Sequence, residues 1–199
     1  LGKGILLVVS GPSGAGKGTV LRDFKGLPYI HYSISATTRS CRQTEEDGVH
    51  YHFISQDAFL SILKDDGFIE YAEYCGDYYG TPKKAVDDAL AAGKVVILEI
   101  ETVGASKIKE KFPDCVSLFI TPSKLSELKR RLINRGTESI DKIEKRIARA
   151  RLELLEVKTY DYIVLNDRIE DAVHAIHSII LAEQSKASRM VDALANAAE

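Results

Sequence analysis

Residues 5–19 read Ile5-Leu6-Leu7-Val8-Val9-Ser10-Gly11-Pro12-Ser13-Gly14-Ala15-Gly16-Lys17-Gly18-Thr19. The opening apolar run is short and bounded by a glycine turn. It reads as a strand covered on both faces, as in a parallel sheet. A helix is read over Thr19 to Lys25, so the order is strand, glycine loop, helix. That order suits phosphate. A phosphate needs many donors in a small concave space, and glycines let backbone N–H groups converge there without side-chain clash. The helix N-terminus adds partial positive charge, and Lys17 adds a mobile point charge within reach of β and γ phosphates. Such a loop usually carries Ser or Thr directly after the Lys, to meet Mg²⁺. Here Gly18 stands in that place, so Thr19 is expected to reach the metal either directly or through water.

Three further apolar runs follow. Val95–Leu98 leads into Glu99-Ile100-Glu101, Val116–Ile120 stops at Thr121-Pro122, and Tyr162–Leu165 stops at Asn166-Asp167. Helical stretches separate them, which predicts an α/β fold around a mostly parallel sheet. Ligands of such sheets sit beyond the carboxyl ends of the strands. The glycine loop, Glu99, Glu101, Thr121 and Asn166 all fall there. Residues 33–85 depart from the alternation. They are rich in Tyr, Thr, Ser and Gly, with short strand-like pieces around a helix read over Gln56 to Lys64, and predict an α+β insertion. Residues 123–151 depart differently. Leu125, Leu128 and Leu132, then Ile140, Ile143 and Ile147, recur at helical spacing, and Arg135-Gly136-Thr137 supplies a helix end and a helix start. This helical hairpin carries ten Lys or Arg against four Asp or Glu. The core is read as 1–32, 86–122 and 152–199, with the stretch after Glu183 expected to fray.

Composition bounds the function. The 199 residues fit one core with small insertions. The formal net charge of −2 speaks against a globally basic nucleic-acid binder. The apolar run near the start is too short to span a bilayer, so no membrane partner is expected. Cys41, Cys75 and Cys115 are far apart, odd in number and without metal spacing, which fits reduced thiols in a cytoplasmic protein.

The segments after the loop carry a family resemblance. Ser33-Ile34-Ser35-Ala36-Thr37-Thr38-Arg39 resembles the S-x-S-x-T-T-R run of guanylate kinases, and Arg42, Glu45, Gly48, Tyr51 and Phe53 continue it at that family's spacing. Phe68-Ile69-Glu70-Tyr71 and Tyr79-Gly80-Thr81 resemble two more of its signatures. Leu98-Glu99-Ile100-Glu101 with Gly104 resembles its strand end, and Arg131-Leu132, Arg135-Gly136-Thr137 and Arg146 its lid. Cys41, Thr44, Glu101 and Val103 depart from the family pattern.

The resemblance implies a three-layer α/β/α P-loop NTPase fold with a parallel central sheet. It makes 33–85 a small GMP-binding insertion and 123–151 a helical lid. It also implies ATP and GMP or dGMP as substrates, Mg²⁺ with the ATP, and a monomer or homodimer. ATP would be held by Ser13, Gly14, Ala15, Gly16, Lys17, Gly18 and Thr19, with Asn166 near the adenine. GMP would be held by Ser35, Arg39, Arg42, Tyr51, Glu70, Tyr79, Thr81 and Glu101. Arg39, Arg42, Tyr51 and Tyr79 take its phosphate, since an Arg fork binds phosphate bidentately. Glu70 takes the guanine ring N–H and amine, while Ser35 and Thr81 donate to the keto oxygen. Glu101 accepts from the guanine amine or orders metal-bound water. Lys17, Arg39, Arg131, Arg135 and Arg146 would be the catalytic cations. The five histidines are read as ordinary strand or surface residues. Three rivals remain: a non-catalytic phosphopeptide-binding module of similar sequence, a kinase for another nucleoside monophosphate, and a regulatory ATPase.

Overall fold

The computed structural model describes residues 4–74, 76–134 and 139–196. The chain runs β1 (Ile5–Ser10), α1 (Lys17–Leu21), a 3-10 turn at Arg22–Phe24, β2 (Ile30–Tyr32), β3 (Ala36–Thr37), β4 (His52–Phe53), α2 (Gln56–Lys64), β5 (Phe68–Tyr74) and β6 (Asp77–Pro82). It continues through α3 (Lys83–Ala91), β7 (Val95–Glu99), α4 (Thr102–Lys111), β8 (Val116–Thr121), α5 (Leu125–Asn134), α6 (Ile140–Leu155), β9 (Tyr162–Leu165), α7 (Ile169–Gln184) and α8 (Ala187–Asn196).

Five parallel strands form the central sheet in the order β2-β7-β1-β8-β9. The four apolar runs of the sequence are four of these strands. The period-two alternation of β1 sorts its side chains. Ile5, Leu7 and Val9 pack with Val20, Leu21 and Phe24 and with Ala172, Ile176 and Ile180 of α7. Leu6 and Val8 turn the other way, onto Val86 and Ala89 of α3 and Ala105 and Ile108 of α4. Helices therefore cover both faces, and each fully buried Leu, Val or Ile contributes about 1.5–3 kcal/mol. Strand β1 lies between β7 and β8. The chain leaves it through α1 for β2 on the β7 side, and later crosses from β7 through α4 to β8 on the other side, so the winding direction reverses beside β1. A crevice opens at its carboxyl end for that reason.

A second sheet, ordered β4-β3-β6-β5, is built by residues between Ala36 and Pro82. The β5–β6 pair is antiparallel. Its small core is Ala36, Phe59 and Phe68 with Tyr78 against it, and the Phe59 and Phe68 rings stack at 4.4 Å. Helix α2 has the bounds read from the sequence, and its Ser55 cap accepts from the Ala58 N–H at 3.2 Å. Helices α5 and α6 bury Leu128, Leu132, Ile143, Ile147 and Ala150 against one another and against Ala15 of the glycine loop. Ile140 keeps the helical spacing yet is 76% exposed, so it lies outside that core.

Two local expectations differ from the structure. Helix α1 starts at Lys17 rather than Thr19 and tightens to 3-10 geometry before Lys25. The stretch after Glu183 holds helix α8 instead of fraying. The reason is Glu183, which is buried and accepts from Tyr162 Oη at 2.6 Å and Lys186 Nζ at 2.6 Å, with Arg189 3.6 Å away. Arg189 also donates to the Asp114 carbonyl at 2.9 Å.

The tightest approach in the sheet is at Gly11. Its φ is +148°, and a Cβ there would lie 2.0 Å from the Ile120 carbonyl oxygen, a backbone atom that cannot step aside. Gly11→Ala is expected to cost about 2 kcal/mol or more, read as a lower urea midpoint. An unchanged midpoint would show that β1 and β8 are not held this close.

Candidate active site

A continuous cleft of about 840 Å³ lies beyond the carboxyl end of β1. That is within the usual range for small-molecule sites, about 300–1,000 Å³. Ser13, Gly14, Gly16, Lys17, Gly18 and Thr19 line it, and so do Ser35, Arg39, Arg42, Tyr51, Glu70, Tyr79 and Glu101. Residues far apart in sequence thus share one space.

The loop side is held from behind. Gly14 and Gly16 take left-handed φ values of +89° and +87°, which a residue with a side chain rarely adopts. Lys17 Nζ donates to the Gly11 carbonyl at 2.6 Å, so the ammonium curls into the loop. Ala15 faces away from the cleft. Its carbonyl accepts from Asn166 Nδ2 at 2.7 Å and from Arg131 at 3.3 Å. Asn166 is 2% exposed, and its Oδ1 has no partner among the described residues. Arg131 also donates to the Asn166 carbonyl at 2.8 Å and to Glu127 at 2.8 Å. Arg146, from α6, donates to Ser13 Oγ at 2.9 Å. Two cations of the basic hairpin therefore touch the loop or its support. Arg135 lies outside the described residues.

At the floor, Tyr32 Oη donates to Glu99 at 2.6 Å. Burial and the neighbouring Glu99 carboxylate push the Tyr32 phenol pKa far up, so it stays a donor. The same carboxylate lies 3.8 Å from the place a Gly18 Cβ would take. Glu101 lies 3.6 Å from Arg149, which also donates to Glu153 at 2.9 Å. Burial raises the Glu153 pKa, against the pull of Arg149.

Arg39 is set by a fork-to-fork pair. Its two terminal nitrogens donate to the Glu45 oxygens at 3.0 and 2.8 Å. Glu45 also accepts from the Arg42 backbone N–H at 2.9 Å, and these bonds hold its carboxyl below the usual range. The guanidinium lies 5.6 Å from the Tyr51 ring centroid and 5.7 Å from that of Phe53. Tyr51 and Tyr79 meet edge to face at 5.9 Å. Burial, then Glu99, raises the Tyr51 pKa to about 12. Arg42 projects further out, its side chain 70% exposed.

Glu70 is buried, and burial raises its pKa, with Thr81 and Lys107 pulling it back. Thr81 Oγ1 donates to Glu70 Oε1 at 2.8 Å and lies 3.5 Å from Ser35 Oγ. Thr81 is fully buried and acts through Glu70 rather than lining the cleft.

Several contributors had no signal in the sequence. Tyr32 and Arg149 match no motif, and their partners lie 67 and 48 positions away. Glu45 and Gly104 were visible as parts of the resemblance but without a role.

A family model described as guanylate kinase matches residues 3–183. A curated guanylate kinase from Desulfitobacterium hafniense (strain Y51) is 49% identical over 187 residues, covering 94% of each chain. The crystal structure of guanylate kinase from Anaplasma phagocytophilum is 33% identical with a TM-score of 0.77, over 94% of this chain and 89% of that one. A Thermus thermophilus structure at 15% identity and a TM-score of 0.50, over 92% of this chain and all of that one, shares the fold. The chain belongs to the guanylate kinase family.

The Glu70 carboxyl is expected to titrate above the ordinary carboxylate range in carbon-13 NMR. Thr81→Val removes a bond to the ionised form and is expected to raise it further. A downward shift would contradict the role given to the hydroxyl.

Proposed function

We propose that this member of the guanylate kinase family moves the γ-phosphoryl group of ATP onto the phosphate of GMP or dGMP, giving ADP and GDP or dGDP. The observation that carries the reading is the single cleft shared by the Lys17 loop, the Arg39–Tyr51–Tyr79 cluster and the buried Glu70. In-line transfer needs the acceptor brought close, its charge neutralised and water excluded. The attacking phosphate oxygen is already ionised near neutral pH, so no general base is required.

Ser13 to Thr19 hold the ATP phosphates. Asn166, which the resemblance puts near the adenine, is buried behind the loop, where its Nδ2 holds the Ala15 carbonyl. Arg39 and Arg42 with Tyr51 and Tyr79 take the GMP phosphate. Glu70 accepts from the guanine ring N–H and amine, where adenine offers a ring acceptor that a carboxylate repels. Ser35 donates toward the keto oxygen, while Thr81, whose hydroxyl proton goes to Glu70 Oε1, sets that carboxylate instead. Glu101 serves the guanine amine or metal-bound water. Arg131, Arg135 and Arg146 converge on the migrating group, and the units 33–85 and 123–151 close over the core so that ATP is not spent on water.

The described residues contain no group of three or more His, Cys, Asp or Glu able to hold a metal alone. Mg²⁺ in nucleotide sites takes only one or two protein oxygens beside phosphates and waters. The Thr19 hydroxyl with Glu99 or Glu101 fits that need. When bound, the ion neutralises charge on the β and γ phosphate oxygens.

No helix among the described residues is long and apolar enough to cross a membrane. The reading places the reaction in the cytoplasm, carried out by a monomer or homodimer without a nucleic-acid partner. A phosphopeptide module would not need an intact Lys17 loop opening onto the Glu70 cleft. A kinase for another nucleoside monophosphate would not need the Glu70, Thr81 and Ser35 row. An ATPase would need no acceptor cluster.

A coupled assay of ADP formation with GMP, dGMP, AMP, CMP or UMP tests the reading, and only GMP and dGMP are expected to support turnover. Glu70→Gln is expected to narrow the preference for GMP over AMP at least about tenfold, since bonds to a charged group contribute about 1.5–3 kcal/mol each. Unchanged discrimination would remove Glu70 from base reading. Arg146→Ala is expected to lower kcat by about 10³ with little change in the GMP KM. A pure KM effect would make it a binding residue instead.

A further inference from the structure

Helix α4 starts just after Glu101 and runs against β5, the strand that carries Glu70. Gly104, in its first turn, is buried. A Cβ built there would lie 2.9 Å from Glu70 Oε2 and 3.5 Å from its carboxyl carbon. No left-handed φ explains a glycine at this position. It sits in ordinary helix, where glycine is the poorer choice. What it provides is space for one carboxylate oxygen.

The polar groups around that carboxylate form a row. Ser35 Oγ lies 3.5 Å from Thr81 Oγ1, and Thr81 Oγ1 donates to Glu70 Oε1 at 2.8 Å. Glu70 Oε2 follows and ends the row against Gly104. The edge of guanine has a matching order of keto oxygen, ring N–H and exocyclic amine. The Ser35 hydroxyl meets the keto oxygen, Oε1 meets the ring N–H, and Oε2 meets the amine, with Thr81 anchoring Oε1 from behind.

We propose that Gly104 is a specificity-positioning residue, whose missing side chain leaves Glu70 Oε2 at the height of the guanine amine. The inference rests on the reading of Glu70 given above. It separates two features of the base that Glu70 alone does not. The ring N–H distinguishes guanine and hypoxanthine from adenine, whereas the amine distinguishes guanine from hypoxanthine. Thr81 anchors Oε1, so a methyl group at position 104 pushes chiefly on Oε2. The group that must move is the far end of a flexible side chain rather than backbone. The fold therefore tolerates the change while amine recognition does not.

The test compares GMP with IMP, which keeps the keto oxygen and ring N–H but lacks the amine. Gly104→Ala is expected to retain its melting temperature and its ATP KM. Its kcat/KM for GMP is expected to fall about tenfold to a hundredfold, in line with one lost bond to a charged group. Its kcat/KM for IMP is expected to change less than about threefold, so the preference for GMP over IMP shrinks by nearly the whole factor. Equal losses for GMP and IMP, or a variant that unfolds or loses ATP binding, would overturn the inference by making Gly104 a packing residue only. An unchanged GMP to IMP ratio would overturn it too. Glu70→Gln assayed in parallel separates the two levels. If Glu70→Gln leaves both the GMP to AMP and GMP to IMP ratios intact, the base reading itself fails. If it disturbs them while Gly104→Ala does not, only the Gly104 inference fails.

Discussion

Two phosphate groups must be brought within bonding distance against their own repulsion. At about 4 Å, two unit charges repel by about 4 kcal/mol at an effective dielectric of about 20. Each nucleotide brings more than one such charge. The arrangement of cations around the cleft answers that constraint. The loop supplies Lys17 and a helix start, and the second sheet supplies Arg39 and Arg42. The α5–α6 hairpin adds Arg131 and Arg146, both engaged with the loop or its support. Lys17, Arg39, Arg131 and Arg146 are each held by protein partners, whereas Arg42 stays largely exposed. Arg39 is locked by the Glu45 fork and lies near two aromatic rings, so the ordering of its side chain precedes the ligand.

Selectivity has the opposite electrostatic sign. Amid so many cations, one buried carboxylate reads the base. Burial disfavours its charge, and Thr81 with Lys107 restores part of that loss. The result is a carboxylate with one oxygen anchored and the other set against a helix residue without a side chain. Sheet, helix and insertion meet at this point. A small movement of α4 over β5 would therefore alter base reading before it altered phosphate binding.

Much of this was legible in the sequence, for physical reasons that differ by element. The runs at 5–9, 95–98, 116–120 and 162–165 are strands buried on both faces, and continuous apolar character is a local signal. The glycine loop was legible because few other sequences combine a strand, left-handed glycines and a helix start. Strand β2 was not, since Ile30-His31-Tyr32 is three residues of mixed character at the sheet edge. Helix α8 was misjudged because its anchor is Glu183, whose carboxylate meets Tyr162, Lys186 and Arg189. The same holds within the site. The family resemblance implied that the arginines and Glu70 belonged together, but the bonds of Tyr32 to Glu99, Arg149 to Glu101 and Asn166 to Ala15 are long-range and follow no period. Gly104 carries no chemistry of its own, and its meaning appears only when a neighbour's oxygen is found beside it.

The central claim is that the cleft joins the two nucleotides and passes a phosphoryl group between them rather than to water. Phosphorus-31 NMR of the purified protein with ATP, Mg²⁺ and GMP tests it most directly. The account predicts that GDP and ADP resonances grow in equal amounts while inorganic phosphate stays near baseline. Loss of ATP to inorganic phosphate with GMP unchanged, or no reaction at all, would contradict it.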